Sequence, residues 1–313
     1  MLKIELSSGD LTADRRAEYA RLLSESGDDL AAADLMEQAL ELVPLWVAGW
    51  FQLGEYRAAA GLCEKAAEAW RRTLDLDPQD MFAAGLKLAL IGAEEAPEHP
   101  PSRYVEALFD DYADRFETSL VDKLDYRAPQ DLMAMLLSYL GMDKRFATSV
   151  DLGCGTGLMG VELRAHTDRL EGFDLSSAML IKAREKAIYD ALDEADLSLD
   201  RENCGLFGKA GDEGRADLAV AADVLMYLGA LNGVFALVSA LLAPGGYFAF
   251  SVERPEDGDI ALAPSLRYQH SEPYVLEELN KAGLCCLTRQ DTVLRKDGGN
   301  PVFGILFLAR KIA

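Results

Sequence analysis

The stretch VDLGCGTGLMG, residues 150–160, decides how the rest of the chain reads. Ser149-Val150-Asp151-Leu152 ends an apolar run of strand type, and a helical pattern follows the glycines. Gly153, Gly155 and Gly157 fall within five residues. Glycine is needed where a chain turns sharply from strand to helix, and where a ligand must approach the backbone. Strand, glycine loop and helix in that order place a binding site at the carboxyl edge of a sheet. Gly155, Gly157 and Gly160 also spell GxGxxG, the dinucleotide fingerprint, which by itself does not discriminate. Asp151 stands at the end of the strand, before the first glycine. A carboxylate there suits a cationic ligand and repels a pyrophosphate.

Outward from this point, short apolar runs alternate with helices. Arg169 to Asp174 reads as a second strand, and Asp217 to Ala222 and Gly246 to Val252 as two more. Cys285 to Leu294 and Val302 to Arg310 are spaced as an antiparallel hairpin. Residues 103–145, ahead of the glycine loop, read as two or three helices. The alternation implies an α/β fold with a mainly parallel, doubly wound sheet. The second strand ends in GFDLSSAML, residues 172–180, which places Asp174 to accept bonds from two ribose hydroxyls. Asp174 suits a dinucleotide as well as another nucleoside, so Asp151 and the late hairpin carry the distinction.

DLGCGTG followed by GFDLSSAML resembles class I S-adenosylmethionine-dependent methyltransferases. LLAPGGYFAFSVE, residues 241–253, resembles the segment those enzymes carry into their fifth strand. The resemblance covers residues 104–313 and implies a Rossmann-like sheet of seven strands with S-adenosyl-L-methionine as cofactor. It also implies residue roles. Asp151 would lie near the methionine end, and Gly153, Gly155 and Gly157 would border the cofactor. Asp174, with Leu175 beside it, would hold the ribose. Met179 would cover one face of adenine; its alternative is ordinary helix packing. Asp196-Leu197 resembles the acidic-apolar pair that reads the adenine amine, with Asp193, Glu194 and Asp200 as competitors. Phe109, Tyr112 and Phe116 form an aromatic stripe resembling a lid helix, and Tyr112 is its cofactor-facing candidate. Ser119 stands where the family often has a His.

Three residues are candidates for chemistry on the acceptor. Asp223 follows Ala221-Ala222 at the end of the fourth strand, and Tyr227 comes one helical turn later. Asp223 serves equally as a strand-end cap. His270 reads as part of a loop with Arg267 and Tyr268, before a helix from Tyr274 to Ala282. It could accept a proton near neutral pH, or simply pin the loop. No NPPY or DPPY sequence follows the fourth strand, which argues against an amino-directed nucleic-acid methyltransferase.

The N-terminal third is helical and repeats. Residues 13–46 align with 47–80 at an offset of 34, matching Gly27 to Gly61, Ala32 to Ala66, Leu40 to Leu74 and Pro44 to Pro78. A 34-residue period with small residues at helix crossings and a closing Pro resembles the tetratricopeptide repeat. Trp50, Leu53, Gly54, Ala66, Trp70 and Pro78 carry the likeness in the second copy. A third copy runs from Met81 to about Ile91 before APEHPP breaks it. The expected organisation is thus an all-α repeat domain over 1–95, a Pro-rich linker over 96–103, and the methyltransferase domain over 104–313. The whole chain resembles predicted methyltransferases that carry such repeats.

The chain has 313 residues, with 31 Lys and Arg against 53 Asp and Glu, a formal charge of -22. The excess is acidic on both sides of the linker. It disfavours nucleic acid, which needs cations to displace phosphate counterions, and equally an anionic membrane surface. No apolar run approaches the ~20 residues of a membrane helix. Three His and five scattered Cys leave no metal-ligand pattern. An odd cysteine count without a signal sequence fits reduced thiols in a cytoplasm. The leading expectation is a methyltransferase acting on a small-molecule or protein acceptor, with the repeats engaging a protein partner. The alternatives are a non-catalytic S-adenosylmethionine-binding assembly factor, and an NAD-dependent oxidoreductase working through Gly155, Gly157 and Gly160.

Overall fold

The structure is a computed structural model that describes residues 6–113, 126–208 and 212–312. It divides into two compact units, Met1–Ala107 and Leu108–Ala313.

The first unit is helical: α1 (Leu11–Glu25), α2 (Asp29–Leu42), α3 (Val47–Ala59), α4 (Cys63–Leu76) and the short α5 (Ala84–Leu90). Asp10 caps α1 by accepting from the Thr12 and Ala13 amides. The starts of α2 and α4 are 34 residues apart, and so are their ends. The period thus describes the geometry as well as the sequence. Trp70 is buried against α3, where a Cβ at Gly54 would lie 2.3 Å from its Nε1. Small residues at 54 and 66 let the helices close around that indole.

The helix α6 (Ser102–Tyr112) runs across the division between the units. In the second unit follow α7 (Ala128–Leu140), β1 (Phe146–Leu152), α8 (Leu158–Arg164), β2 (Thr167–Asp174), α9 (Ser177–Glu185) and β3 (Ala191–Glu194). Then come β4 (Ala216–Ala221), α10 (Asn232–Leu241), β5 (Leu242–Glu253), β6 (Ile260–Leu262), β7 (Tyr268–His270), α11 (Glu272–Lys281), β8 (Leu284–Asp297) and β9 (Asn300–Lys311). Seven strands form one sheet in the order β3-β2-β1-β4-β5-β9-β8. The first five are mutually parallel, and β9 runs antiparallel between β5 and β8.

One face of the sheet packs Phe235 and Val238 of α10 and Leu279 of α11 onto Phe248, Phe250 and Phe307. The Phe250 and Phe307 rings stack across the β5–β9 pair at 5.1 Å. The other face packs Leu132 and Leu136 of α7 and Leu163 of α8 onto Phe146, Leu218 and Leu306. Each such side chain contributes about 1.5–3 kcal/mol on burial. Strand order reverses at β1, so the loops leaving β1 and β4 diverge to opposite faces and open a crevice between them.

Two short features depart from the sequence reading. Ala191–Glu194 is an edge strand although its sequence, ALDE, carries two charges; pairing with β2 makes it a strand, and its charges protect the edge. Residues 267–270 do not form a plain loop: Tyr268–His270 pairs antiparallel with Ile260–Leu262.

Candidate functional site

The glycine loop leaves β1 with positive φ at Gly153 (64°), Gly155 (53°) and Gly157 (94°). Gly153 could hold no side chain, since a Cβ there would lie 2.4 Å from Val224 of the facing loop. Asp174, at the end of β2, ties this loop down. Its Oδ2 accepts from the Gly155 amide at 2.7 Å, and its Oδ1 from the Ser176 amide at 2.8 Å. Burial pushes its pKa up to about 6, against those amide bonds. Leu175 beside it is half-buried.

Asp151 is 1% exposed at the end of β1. Its Oδ2 accepts from the Tyr189 hydroxyl at 2.6 Å. Burial pushes its pKa up to about 7; the Tyr189 bond pulls the other way and the charge of Asp174 adds to the rise. Gly160 explains the ambiguous third glycine. A Cβ there would lie 2.2 Å from the Tyr189 oxygen, so the residue is small to admit a tyrosine.

Across the crevice, Asp223 follows β4 in a left-handed conformation with φ of 61°. Its amide donates to Ser251 Oγ at 2.9 Å, and Arg295 of β8 donates to its carboxylate. Arg295 also donates to Glu253 at the end of β5. Glu253 accepts in turn from Arg267 at 2.8 Å, and Arg267 reaches Asp297 at 2.6 Å. Arg295 is 4% exposed and Glu253 2%. Burial opposes the charge on Arg295, but Asp223 and Glu253 outweigh it and its pKa moves up. The guanidinium holds both Asp223 oxygens and favours the ionised form. Asp223 thus ties the β4 exit loop to β8, the strand-end role that was its alternative.

Tyr227 stands in a single 3-10 turn, Leu225–Tyr227, with Phe109 of α6 edge-on to its ring at 5.1 Å. The next residue of α6, Asp110, accepts from Ser176 Oγ at 2.6 Å. The end of α6 thus touches the segments that follow β2 and β4. Tyr112 packs half-buried on the α7 side of the sheet. Phe116 and Ser119 lie outside the described residues.

The remaining candidates separate. His270 is fully buried; its Nε2 bonds the Gly229 carbonyl at 2.8 Å, and burial lowers its pKa to about 4. The bond pins the 229 loop, and the lowered pKa weighs against a base poised near neutrality. Met179 is likewise fully buried in α9, as helix packing requires. Asp196 follows β3 and accepts from the Ser198 amide and hydroxyl at 2.9 and 2.6 Å; Leu197 packs on the sheet. Asp193 and Glu194 are exposed on the edge strand.

Sequence reasoning missed Arg295, Glu253 and Tyr189. Glu253 closes the quoted motif LLAPGGYFAFSVE, and Tyr189 is an aromatic between a helix and an edge strand. Neither position signals its partner, which lies 42 and 38 residues away.

The donor and acceptor set at this edge fits a cationic nucleoside. Asp151 and Asp174 are acceptors at the ends of two adjacent parallel strands, the Asp174 oxygens keep lone pairs beyond the amide bonds, and Thr156 Oγ1 in the glycine loop is buried without a partner. Among the described residues, no cluster of His, Cys, Asp and Glu could hold a metal ion, and no helix is long and apolar enough to cross a membrane.

A family model described as a methyltransferase domain matches residues 124–292. The ubiquinone biosynthesis O-methyltransferase of Pasteurella multocida is 25% identical over 135 residues, 41% of this chain and 56% of that protein. The match therefore spans about half the length of that curated relative. Among solved structures, the 1,6-didemethyltoxoflavin-N1-methyltransferase of Burkholderia thailandensis, with S-adenosylhomocysteine bound, aligns at a TM-score of 0.51 and 22% identity. The alignment covers 70% of this chain and 94% of that one. The magnesium protoporphyrin IX methyltransferase of Synechocystis, with bound SAH, aligns at 0.51 and 19%, over 67% and 99%. At these identities the structural likeness speaks for the fold.

Proposed function

Because the chain belongs to the methyltransferase-domain family, we propose that it is a class I methyltransferase using S-adenosyl-L-methionine. The observation that carries this reading is the loop clasp, in which Asp174 draws in the Gly155 and Ser176 amides beside the buried Asp151. Asp174 would hold the ribose, and Asp151 the cationic amino-acid end. Gly153, Gly155 and Gly157 would border the cofactor. Leu175, Asp196 and Leu197 would border its adenine; the burial of Met179 supports packing instead. Use of Gly160 to seat Tyr189 and the antiparallel β9 both tell against the NAD-dependent oxidoreductase.

The cofactor supplies an already activated methyl group. The chain has to align the acceptor, exclude water and, for a hydroxyl or ammonium acceptor, take a proton. The end of α6 would exclude water, since it touches the exits of β2 and β4. Tyr227 is the candidate we favour for the proton, because Arg295 holds Asp223 and burial makes His270 a weak base. That same engagement favours, as a second reading, a cofactor-binding factor that does not transfer. The acceptor is a small molecule or a protein.

The helices α1–α5 would be tetratricopeptide-like, a reading supported by the 34-residue offset and the Gly54–Trp70 seat. Residues 1–95 hold 9 basic and 18 acidic residues, so their partner would be basic. All five cysteines are unpaired, in keeping with a cytoplasmic setting.

Titration calorimetry with S-adenosyl-L-methionine tests the core of the proposal. Binding is expected, with a loss of at least tenfold in Asp174→Ala, about the value of a hydrogen bond to a charged group. No binding by the native chain would sink the reading. Transfer of radiolabelled methyl groups to components of a cell extract separates the enzyme from the non-transferring factor.

A further inference from the structure

Tyr189 is an unassigned residue with a built seat. It lies between α9 and β3, its ring against three glycines. A Cβ at Gly160 would meet its hydroxyl at 2.2 Å, one at Gly172 its ring at 2.8 Å, and one at Gly157 its ring at 3.1 Å. Three positions on α8, β2 and the glycine loop are thus without side chains where one tyrosine passes. Its hydroxyl arrives 2.6 Å from Asp151 Oδ2.

We propose that Tyr189 is a positioning residue for the cofactor: it orients the Asp151 carboxylate and keeps it charged for the cationic amino-acid end. The proposal rests on the cofactor reading above and deepens it. A buried carboxylate with no donor would take a proton or rotate away, and either event removes its attraction for an ammonium group. Tyr189 is suited to the task because it only donates here. Burial and the neighbouring Asp151 charge hold its own proton on far beyond the physiological range.

The other groups facing Asp151 do not replace it. Asp174 from β2 repels the charge. Cys154 of the loop and Tyr126 ahead of α7 are both kept neutral by burial. On the β4 side the register places the apolar Val220 beside it. Among the described residues, Tyr189 is the group whose interaction favours ionised Asp151.

The test is a pH series, from 6 to 9, of binding to Tyr189→Phe and to the native chain. Two probes are used: S-adenosylhomocysteine, which carries the amino-acid end, and 5′-methylthioadenosine, which lacks it. The expected result is about tenfold weaker S-adenosylhomocysteine binding at pH 7, recovering by pH 9, with methylthioadenosine unchanged. Equal losses for both probes at every pH would mean a packing role and overturn the proposal, as would superimposed curves. If the native chain binds neither probe, the cofactor reading fails along with it; if the native chain binds and only the variant comparison is flat, the failure is confined to Tyr189. Gly160→Ala provides a second variant should Tyr189→Phe not fold. It displaces the hydroxyl without deleting it, and the same alkaline shift is expected; an unshifted profile there overturns the proposal too.

Discussion

Asp151 sits in surroundings that oppose its own charge. Its folded pKa of about 7 lies above the ordinary carboxylate value of 3.8, and burial is the main cause. For a carboxylate raised in this way, the folded state holds its proton more tightly than the unfolded state. The ionised form therefore destabilises the cofactor-free chain above about pH 7, and that penalty fades as pH falls toward 3.8. Asp151→Asn removes the charge, so it is expected to be more stable than the native chain at pH 8. The gap should close by about 2–3 kcal/mol between pH 8 and pH 5. Urea unfolding at the two pH values measures it, and a gap that stays constant refutes the assignment. Asp151 was legible because a carboxylate before a glycine loop is a local pattern. Tyr189 was not, because the reason for its position is three glycines distant in sequence, and a glycine does not announce what fills its space.

At the scale of elements, the β8–β9 hairpin does more than complete the sheet. Arg295 projects from β8 into the exits of β4 and β5, where it meets Asp223 and Glu253. Arg295→Met would leave the buried Glu253 and the partly buried Asp223 without that guanidinium, although Glu253 keeps Arg267. Stripping one partner from a buried ion pair costs about 3–5 kcal/mol, and the lower end is expected here. Chemical denaturation measures the loss, with hydrogen exchange at Asp223 as the local readout; a loss under ~1 kcal/mol would show that the cluster does not hold the loop. The hairpin strands were readable from their apolar runs, as were β1, β2, β4 and β5. Arg295 inside the hairpin was not, because its meaning depends on a register that brings it to a residue 72 positions away. The edge strand β3 was unreadable for a different reason: two charges in four residues erase the apolar alternation on which strand reading depends.

Across the whole molecule, the charge of -22 spreads over both units, and each unit has its own core. The 34-residue period was legible because a helical repeat is built from neighbours in sequence. Composition marks the prolines of 96–103, and the compact units part between Ala107 and Leu108, inside α6. A helix that continues past a proline-rich stretch leaves no compositional sign of where packing changes hands. Separate cores lead to a prediction about separability. Gly54→Ala forces a methyl group to within 2.3 Å of the Trp70 indole, and overpacking of that kind costs about 1–3 kcal/mol. The cost should fall on residues 47–76, as faster hydrogen exchange in α3 and α4, while affinity for S-adenosyl-L-methionine stays within twofold of native. The residues proposed for the cofactor follow Leu108, and mutations without shared partners are close to additive. A fall in affinity that tracks the loss of stability in α3 and α4 would instead mean that the helical unit is energetically part of the binding site.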